Sequence, residues 1–448
     1  MKTPIADFVR RYASADTSRF HMPGHKGNGP LGCEALDITE ICGADVLYSP
    51  DGIIAESEKN ATALFGSKHT YYSAEGSSLA IKAMLALIKK KAPADRRVRI
   101  LAARNVHKAF VYACALLDID ADWLFPASYS HLCACKIAPE QLDEALKAAK
   151  ILPDAVYITS PDYLGSVSDI SGLSAVCHKH GVPLLVDNAH GAYLAFTEPS
   201  IHPLALGADM CCDSAYKTLP VLTGGAYLHI ASSYDADDDE VRSALALFAS
   251  TSPSYLILQS LDLCNAYLSD GYRQRLREFI KKLSSLSDRL ALLGFKSEQT
   301  EPLKLVFSRQ RCGYSGDELA AHLRKCGIEP EFADRDCLVL MATPENTDND
   351  LERVYQAFAA LPSKNACGTS LPPLFEQPTR ALSIREAVFA SSETVAVENT
   401  EGRICASPTV SCPPAVPVVM SGEVITRSAI ELMRYYGIER IEVVKKPI

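Results

Sequence analysis

The sequence has no apolar run approaching the roughly 20 residues that a helix needs to cross a bilayer, although it is 448 residues long. Its start, Met1-Lys2-Thr3-Pro4, is not followed by the apolar stretch of a secretory signal. It has no internal repeat and no low-complexity tract. We therefore expect a globular cytoplasmic protein of two or three domains that has no membrane partner.

An excess of basic residues is also missing. Lys and Arg number 45 against 54 Asp and Glu, which gives a net charge of −9. Nucleic acid is therefore not expected as a partner, because proteins that bind the phosphate backbone carry basic patches. The negative charge suits a small cationic substrate, although ordinary solubility also accounts for it.

The fifteen cysteines do not form a complete set of metal ligands. Cys133-Ala134-Cys135 comes closest, but no second cysteine pair or nearby histidine pair completes a zinc site. Most of the other cysteines stand in apolar contexts, which is typical of small buried residues in a reducing compartment. We therefore expect no metal.

The pattern between about residues 60 and 230 alternates short apolar runs with amphipathic stretches. Such a pattern predicts a parallel sheet that is covered by helices on both faces. A smaller α+β unit follows, and a stretch rich in Pro, Ser and Gly at 363–378 predicts a linker. We expect four segments: an N-terminal segment (1–45), a large domain (46–260), a small α+β domain (261–365) and a C-terminal domain (366–448).

Four motifs are predicted at strand ends, where ligands bind in open α/β sheets. The first is Glu75-Gly76-Ser77-Ser78, which lies between a strand and a helix. Gly76 permits close backbone approach, and the hydroxyls with the free N–H groups of the helix start form a phosphate site. Taken alone, a Gly-Ser pair at this place is more often only a helix cap.

Two further motifs carry an acid and an amine. Asp187 ends the apolar strand at 183–186, and a buried carboxylate there needs a cationic partner; a metal-binding or capping role is the alternative. Lys217 follows the strand at 210–212, and a lysine among small and apolar residues indicates a nucleophilic amine. The fourth motif, Asn105-Val106-His107-Lys108, offers an imidazole, although a lone histidine is usually structural.

Together the four motifs supply the parts that a pyridoxal 5'-phosphate (PLP) enzyme requires. These are a phosphate cradle, an acid for the ring nitrogen, a lysine for a Schiff base and a ring-stacking aromatic group. Each motif is weak alone, but a lysine thirty positions after an aspartate that also ends a strand is unusual. The sequence therefore predicts PLP as the cofactor.

The chain also resembles the Orn/Lys/Arg decarboxylase family of fold-type-I PLP enzymes over nearly its whole length. The most specific match is the string from Phe20 to Gly27, FHMPGHKG. It resembles the family's short forms, which lack an N-terminal wing domain. Other matching segments are 105–108, 187–191, 214–219, Ser252-Pro253-Ser254-Tyr255 and 381–387.

This resemblance implies the aspartate aminotransferase fold and a role for each site residue. Lys217 carries the cofactor, Asp187 pairs with the ring nitrogen and His107 stacks on the ring. His190 lies beside the ring oxygen or the substrate carboxylate. The phosphate contacts are Gly76, Ser77, Ser78, Ser214 and Tyr216, joined by Ser252 across the interface of a homodimer, or of a higher oligomer, with shared active sites.

Several positions depart from the family pattern. Tyr216 stands where the family has histidine, Asn188 where it has an acidic residue, and Glu75 where it has asparagine. The family's Tyr-Pro-Pro-Gly-Ile-Pro becomes Cys412-Pro413-Pro414-Ala415-Val416-Pro417. These changes leave the cofactor chemistry in place but bear on the identity of the substrate.

The resemblance implies decarboxylation of a basic amino acid, a reaction that serves polyamine biosynthesis. Arginine is the first expectation, followed by lysine and ornithine. Glu423 is the expected carboxylate for the substrate's distal cation, with a solvated loop glutamate as the alternative. Two other functions stay open: an aminotransferase or other lyase on the same fold, and a PLP-binding protein without turnover.

Overall fold

The structure is a computed structural model that describes residues 1–127, 131–298, 300–362, 364, 372–373, 376–408 and 416–445. Most of the predicted linker at 363–378 lies outside the described residues, and so do residues 412–415 of the proline-rich stretch. Within the described ranges, no helix has both the length and the apolar character that spanning a membrane requires. The thirteen cysteines in these ranges are free thiols.

The described chain contains the following helices and strands, which alternate over its first half. The helices are α1 (Pro4–Ser14), α2 (Ile53–Phe65), α3 (Gly76–Lys91), α4 (Lys108–Leu117), α5 (Pro139–Ala148), α6 (Ile170–Lys179), α7 (Ala215–Thr218), α8 (Asp238–Ala246), α9 (Tyr255–Ser269), α10 (Tyr272–Leu292), α11 (Arg309–Cys312), α12 (Gly316–Lys325), α13 (Asp348–Ala359), α14 (Ile384–Phe389) and α15 (Arg427–Tyr435). The strands are β1 (His69–Ser73), β2 (Val98–Ala103), β3 (Ile119–Leu124), β4 (Ala155–Thr159), β5 (Leu184–Asp187), β6 (Met210–Asp213), β7 (Ala226–Ile230), β8 (Lys304–Ser308), β9 (Phe332–Ala333), β10 (Cys337–Met341), β11 (Ser392–Ala396), β12 (Cys405–Ser407) and β13 (Arg440–Val444).

The main sheet has seven strands in the order β1-β7-β6-β5-β4-β2-β3. Strands β5 and β6 pair in parallel, as do β2 and β3. Strand β7 runs antiparallel to both β6 and β1, so β1 points in the same direction as β6. The predicted α/β class with a mostly parallel sheet is confirmed, whereas the stretch at 226–230 is a reversed strand.

Helix starts are encoded locally in the sequence. Four helices begin with a capping box, in which a Ser, Thr or Asp side chain and an acidic side chain three residues later each accept from the other's backbone N–H. The pairs are Asp237 with Glu240, Ser315 with Glu318, Thr347 with Asp350, and Ser383 with Glu386.

The chain divides into two compact units. The first unit comprises Met1–Ala92, Asp154–Val156 and Ile170–Arg275. The second unit comprises Pro93–Pro153, Tyr157–Asp169 and Leu276–Ile448. The four-segment division expected from the sequence stays a prediction.

The second unit contains two small antiparallel sheets. One has the order β8-β10-β9 and the other the order β11-β13-β12. The core beside the second of these sheets is formed by buried aliphatic side chains from β13, α15 and the segment before it, among them Val418, Ile425, Leu432, Met433 and Val443. The alternating residues Ile441 and Val443 of β13 face this core, so one face of the sheet is buried.

Charged side chains are buried in the second unit beyond the end of β4. Asp162 is 4% exposed, and its carboxylate accepts from the backbone N–H of Ser166 at 2.9 Å. Lys304 Nζ lies 3.1 Å from the Glu301 carboxylate and donates to the carbonyl oxygen of Asp162. Burial raises the pKa of Asp162 to about 6, although the Ser166 N–H and the Lys304 ammonium act in the opposite direction.

This raised pKa predicts how stability changes with pH. The protonated form of Asp162 is favoured by folding, so its stabilising contribution is complete below its ordinary pKa near 4 and is lost as pH rises through about 6. We expect Asp162→Asn, which keeps the oxygen facing Ser166, to gain stability relative to the parent chain over that window. The free energy of unfolding should rise by on the order of 2–3 kcal/mol. It is measured from unfolding curves of both proteins recorded at several pH values.

Asp95→Asn is the matched control, since Asp95 is exposed in the same unit. It should leave the pH dependence of unfolding unchanged. A difference between Asp162→Asn and the parent chain that does not vary between pH 4 and pH 7 would contradict the expected titration.

Candidate active site

The amine of Lys217 lies against an imidazole in the first unit. Lys217 is in the short helix α7, one turn beyond the end of β6, and its backbone N–H donates to the carbonyl of Ser214. Its Nζ is 3.0 Å from Nε2 of His190, which is 6% exposed. At this distance a proton can pass directly between the two nitrogens.

Asp187 is the last residue of β5 and is 2% exposed. Its Oδ1 accepts from the backbone N–H of Ala189 at 3.2 Å and from the Cys212 thiol at 3.6 Å. Residues 187 and 212 are direct partners in the parallel pair of β5 and β6. A buried carboxylate in this position is suited to hold a cation.

The start of α3 forms a cradle beside this pair of strands. Gly76 has φ +71°, and a Cβ placed there would meet nothing within 4 Å. The Ser214 hydroxyl donates to the Ser77 hydroxyl at 2.8 Å, which joins the helix start to the turn that leads to Lys217. The start of a sixteen-residue helix with two hydroxyls beside it is suited to bind an anion.

The carboxylate of Glu75 has its own partner next to this cradle. Its Oε1 accepts from the backbone N–H of Ser250 at 2.6 Å. The hydroxyl of Ser250 in turn accepts from the N–H of Ser252, which is exposed in the single chain. Glu75, which stands where the family has asparagine, therefore connects the cradle to the segment that carries Ser252.

Tyr216, which precedes Lys217, is held by its backbone: its N–H donates to the Gly225 carbonyl at 3.3 Å.

Asp213, which was not predicted from the sequence, has three side-chain hydrogen-bond partners. It is fully buried and accepts from Asn188 Nδ2 at 2.6 Å. Its other oxygen lies 3.0 Å from His202 Nε2 and 3.1 Å from His229 Nε2. The only signal in the sequence was its place, directly before the turn that starts at Ser214.

Two predicted site residues belong to the second unit. His107 caps α4, where its Nδ1 accepts from the backbone N–H of Ala109 at 3.1 Å. Glu423 is 3% exposed and lies 2.8 Å from the guanidinium of Arg104, which is 2% exposed. Glu423 also accepts from the N–H of Met420. It is therefore not a solvated loop residue, and Arg104 supplies a cation for its carboxylate.

Within the described part of the chain, two clusters have side chains that could ligate a metal: His131 with Asp334 and Cys337, and His202 with Cys211 and Asp213. In both, the histidine accepts a backbone N–H at Nδ1, from Cys133 and from Leu204 respectively. The ring proton is then on Nε2, where it is donated to the carboxylate. Hydrogen bonding thus accounts for both clusters.

Comparison with known proteins places the chain in one family. Residues 3–308 match the Orn/Lys/Arg decarboxylase major domain, and residues 364–442 match the Orn/Lys/Arg decarboxylase C-terminal domain. The chain belongs to the Orn/Lys/Arg decarboxylase family. The resemblance found in the sequence is confirmed.

Relatives of this decarboxylase family match along almost the full chain. The uncharacterized protein YaaO of Bacillus subtilis is 30% identical over 96% of this chain and 93% of its own length. An arginine decarboxylase of the same organism is 29% identical over 96% of this chain and 92% of its own. Another arginine decarboxylase, from Halalkalibacterium halodurans, is 29% identical over 97% and 93%.

Solved structures of low identity share the fold. The lysine decarboxylase LdcF of Francisella novicida superposes with a TM-score of 0.81 at 17% identity, over 99% of this chain and 81% of its own. A serine palmitoyltransferase of Sphingomonas wittichii, at 15% identity, gives 0.56 over 79% of this chain and 82% of its own. The predicted fold type is confirmed.

The contact between Gly191 and Asn188 predicts a sensitive position in this decarboxylase site. A Cβ at Gly191 would lie 2.0 Å from Asn188 Oδ1 and 2.8 Å from Leu194 Cδ1. We expect Gly191→Ala to displace the Asn188 side chain from Asp213 and to cost about 2–3 kcal/mol. The measurement is the unfolding midpoint of the cofactor-free protein. Ala175→Ser, an exposed change on α6, should leave that midpoint in place.

Proposed function

We propose that this chain is a PLP-dependent decarboxylase of basic amino acids, with arginine as the first substrate and lysine and ornithine next. The observation that carries the proposal is the contact of Lys217 with His190 beside the strand that ends at Asp187. Family membership over both matched segments supports it. We further propose a cytoplasmic homodimer that completes each active site with Ser252 of the other subunit.

The described residues fit the cofactor. The cradle of Gly76, Ser77 and Ser214 suits a phosphate, because open space lies beside Gly76 and hydroxyls surround a helix start. The Asp187 carboxylate suits a protonated ring nitrogen, because a buried anion and a cation stabilise each other's charged states. Lys217 is the amine for covalent attachment, with Ser78, Tyr216 and His107 as further proposed contacts.

When bound, PLP supplies an electron-withdrawing ring that takes up the electron pair left by the departing CO2. Asp187 keeps the ring nitrogen protonated, which a neutral side chain does not do. Lys217 Nζ and His190 Nε2, at 3.0 Å, hold and exchange the proton that is delivered to the substrate's Cα. The protein thus contributes orientation, a fixed anion and a proton relay.

The distal cation of the substrate requires an anion, and Glu423 is the proposed one. Its carboxylate already meets Arg104 at 2.8 Å. Burial raises the pKa of Glu423, and the guanidinium of Arg104 opposes that rise. The proposal therefore requires that a substrate guanidinium and the Arg104 guanidinium bind the Glu423 carboxylate at the same time.

The function is tested by product analysis. The purified protein, loaded with PLP, is incubated separately with arginine, lysine and ornithine, and the organic product and CO2 are identified. We expect the amine and CO2 in equal amounts, fastest from arginine. A keto acid in place of CO2 would identify an aminotransferase, and cofactor absorbance without any product would identify a silent binder.

Lys217 is tested by trapping the cofactor linkage. Borohydride reduction of the loaded protein, followed by peptide mass analysis, should place the cofactor mass on Lys217. Lys217→Ala should lose both the trapped mass and turnover, by at least about a thousandfold. Lys59→Ala, an exposed change in the first unit, should retain both. Cofactor mass on any other lysine would refute the assignment.

A further inference from the structure

A buried hydrogen bond joins the residue after Asp187 to the residue before Ser214. Asn188 and Asp213 are both 0% exposed, and Asn188 Nδ2 donates to Asp213 Oδ1 at 2.6 Å. The backbone N–H of Asn188 also donates to the carbonyl of Cys212 at 3.0 Å. The bond therefore ties the loop that follows β5 to the turn that follows β6.

Asp213 carries a negative charge inside the first unit. Burial acts to raise its pKa, but His202 and His229 outweigh burial and lower that pKa below its ordinary range. His202 accepts the N–H of Leu204 at Nδ1, so its Nε2 proton faces Asp213. Burial lowers the pKa of His229, which keeps that ring neutral. Three side-chain nitrogens thus face one carboxylate.

We propose that Asn188 and Asp213 form a positioning pair, in which one buried carboxylate and one amide together fix the loops of Asp187 and Lys217 for cofactor binding. The proposal rests on the proposed function. Neither residue of the pair is proposed to touch the reacting atoms. Their effect passes to Asp187 through its neighbour Asn188, and to Lys217 through the turn that begins at Ser214.

The pair should work with the carboxylate at either position. Among the described residues, Asn188 Oδ1 is buried and has no hydrogen-bond partner. A carboxylate at 188 would therefore form the same single side-chain hydrogen bond to residue 213 that the amide forms now. With aspartate at 188 and asparagine at 213, the amide oxygen would accept from His202 and His229. Its nitrogen would donate to the carboxylate at 188. Hydrogen bonds and net charge would both be preserved.

The experiment is therefore a transposition of the two side chains. Asn188→Asp places two carboxylates in contact, and Asp213→Asn removes the charge, so each change alone should weaken PLP binding by about tenfold or more. The double variant should bind PLP at least about threefold more tightly than the worse of the two single variants, because it restores the amide–carboxylate hydrogen bond. The readouts are the PLP dissociation constant and the visible circular dichroism of the bound cofactor, both recorded without substrate.

Asp209→Asn is the matched control. Asp209 stands at the opposite end of the same strand, is 4% exposed and accepts from Leu184 N at 2.8 Å and from His178 at 3.0 Å. Its change should lower the unfolding midpoint, as Asp213→Asn does. It should leave the affinity for PLP and the circular dichroism unchanged, because the loops of Asp187 and Lys217 lie at the other end.

The outcomes separate this inference from the proposed function. If the parent chain binds PLP but the double variant is no better than the worse single variant, the pair is refuted and the proposed function stands. The same holds if Asp213→Asn changes only stability, as Asp209→Asn does. A parent chain that binds no PLP would overturn both. If Asp213→Asn fails to fold, the test is whether adding Asp213→Asn to Asn188→Asp restores PLP binding.

Discussion

The parallel pairing of β5 with β6 is the constraint on which the site depends. Asp187 lies directly opposite Cys212 in that pair, so the chain leaves both strands at the same edge of the sheet. A carboxylate and an amine that are thirty positions apart in the sequence are thereby brought into one loop cluster. Their short connections leave little freedom, because each functional residue follows its strand by at most four positions.

Hydrogen bonds between the loops hold together the side chains that the strands bring to this edge of the sheet. The Ser214 hydroxyl reaches Ser77 at the start of α3, and His190 reaches Lys217. Because β7 is reversed between β6 and β1, the loop after β1 opens on the same edge as the loop after β6. Three loops from separate stretches of chain thus bring together the residues of the proposed phosphate cradle and proton relay.

The sequence was sufficient for features that are encoded locally. Apolar runs that end at Asp187 and before Asp213 predicted β5 and β6, and a glycine-serine turn predicted the start of α3. The stretch at 226–230 was predicted as a strand, but its direction was not, because strand direction depends on partners and not on composition. Strand β3 was missed because Asp120 and Asp122 break its apolar run.

Contacts between distant residues were the other limit of prediction. Asp213 contacts His202 and His229 only in the folded chain, and no residue near Asp213 in the sequence indicates these contacts. The guanidinium that faces Glu423 lies more than three hundred positions earlier. A buried carboxylate is recognisable as such only when its partners are known, since its burial requires them.

The pair of Arg104 and Glu423 has a consequence for how this family can evolve. Arg104 lies in the stretch that matches the major domain, and Glu423 lies in the stretch that matches the C-terminal domain. Recombination that replaced the C-terminal domain alone would set a foreign side chain against a guanidinium that is 2% exposed. An arginine at 104 and a glutamate at 423 should therefore be gained or lost jointly across lineages.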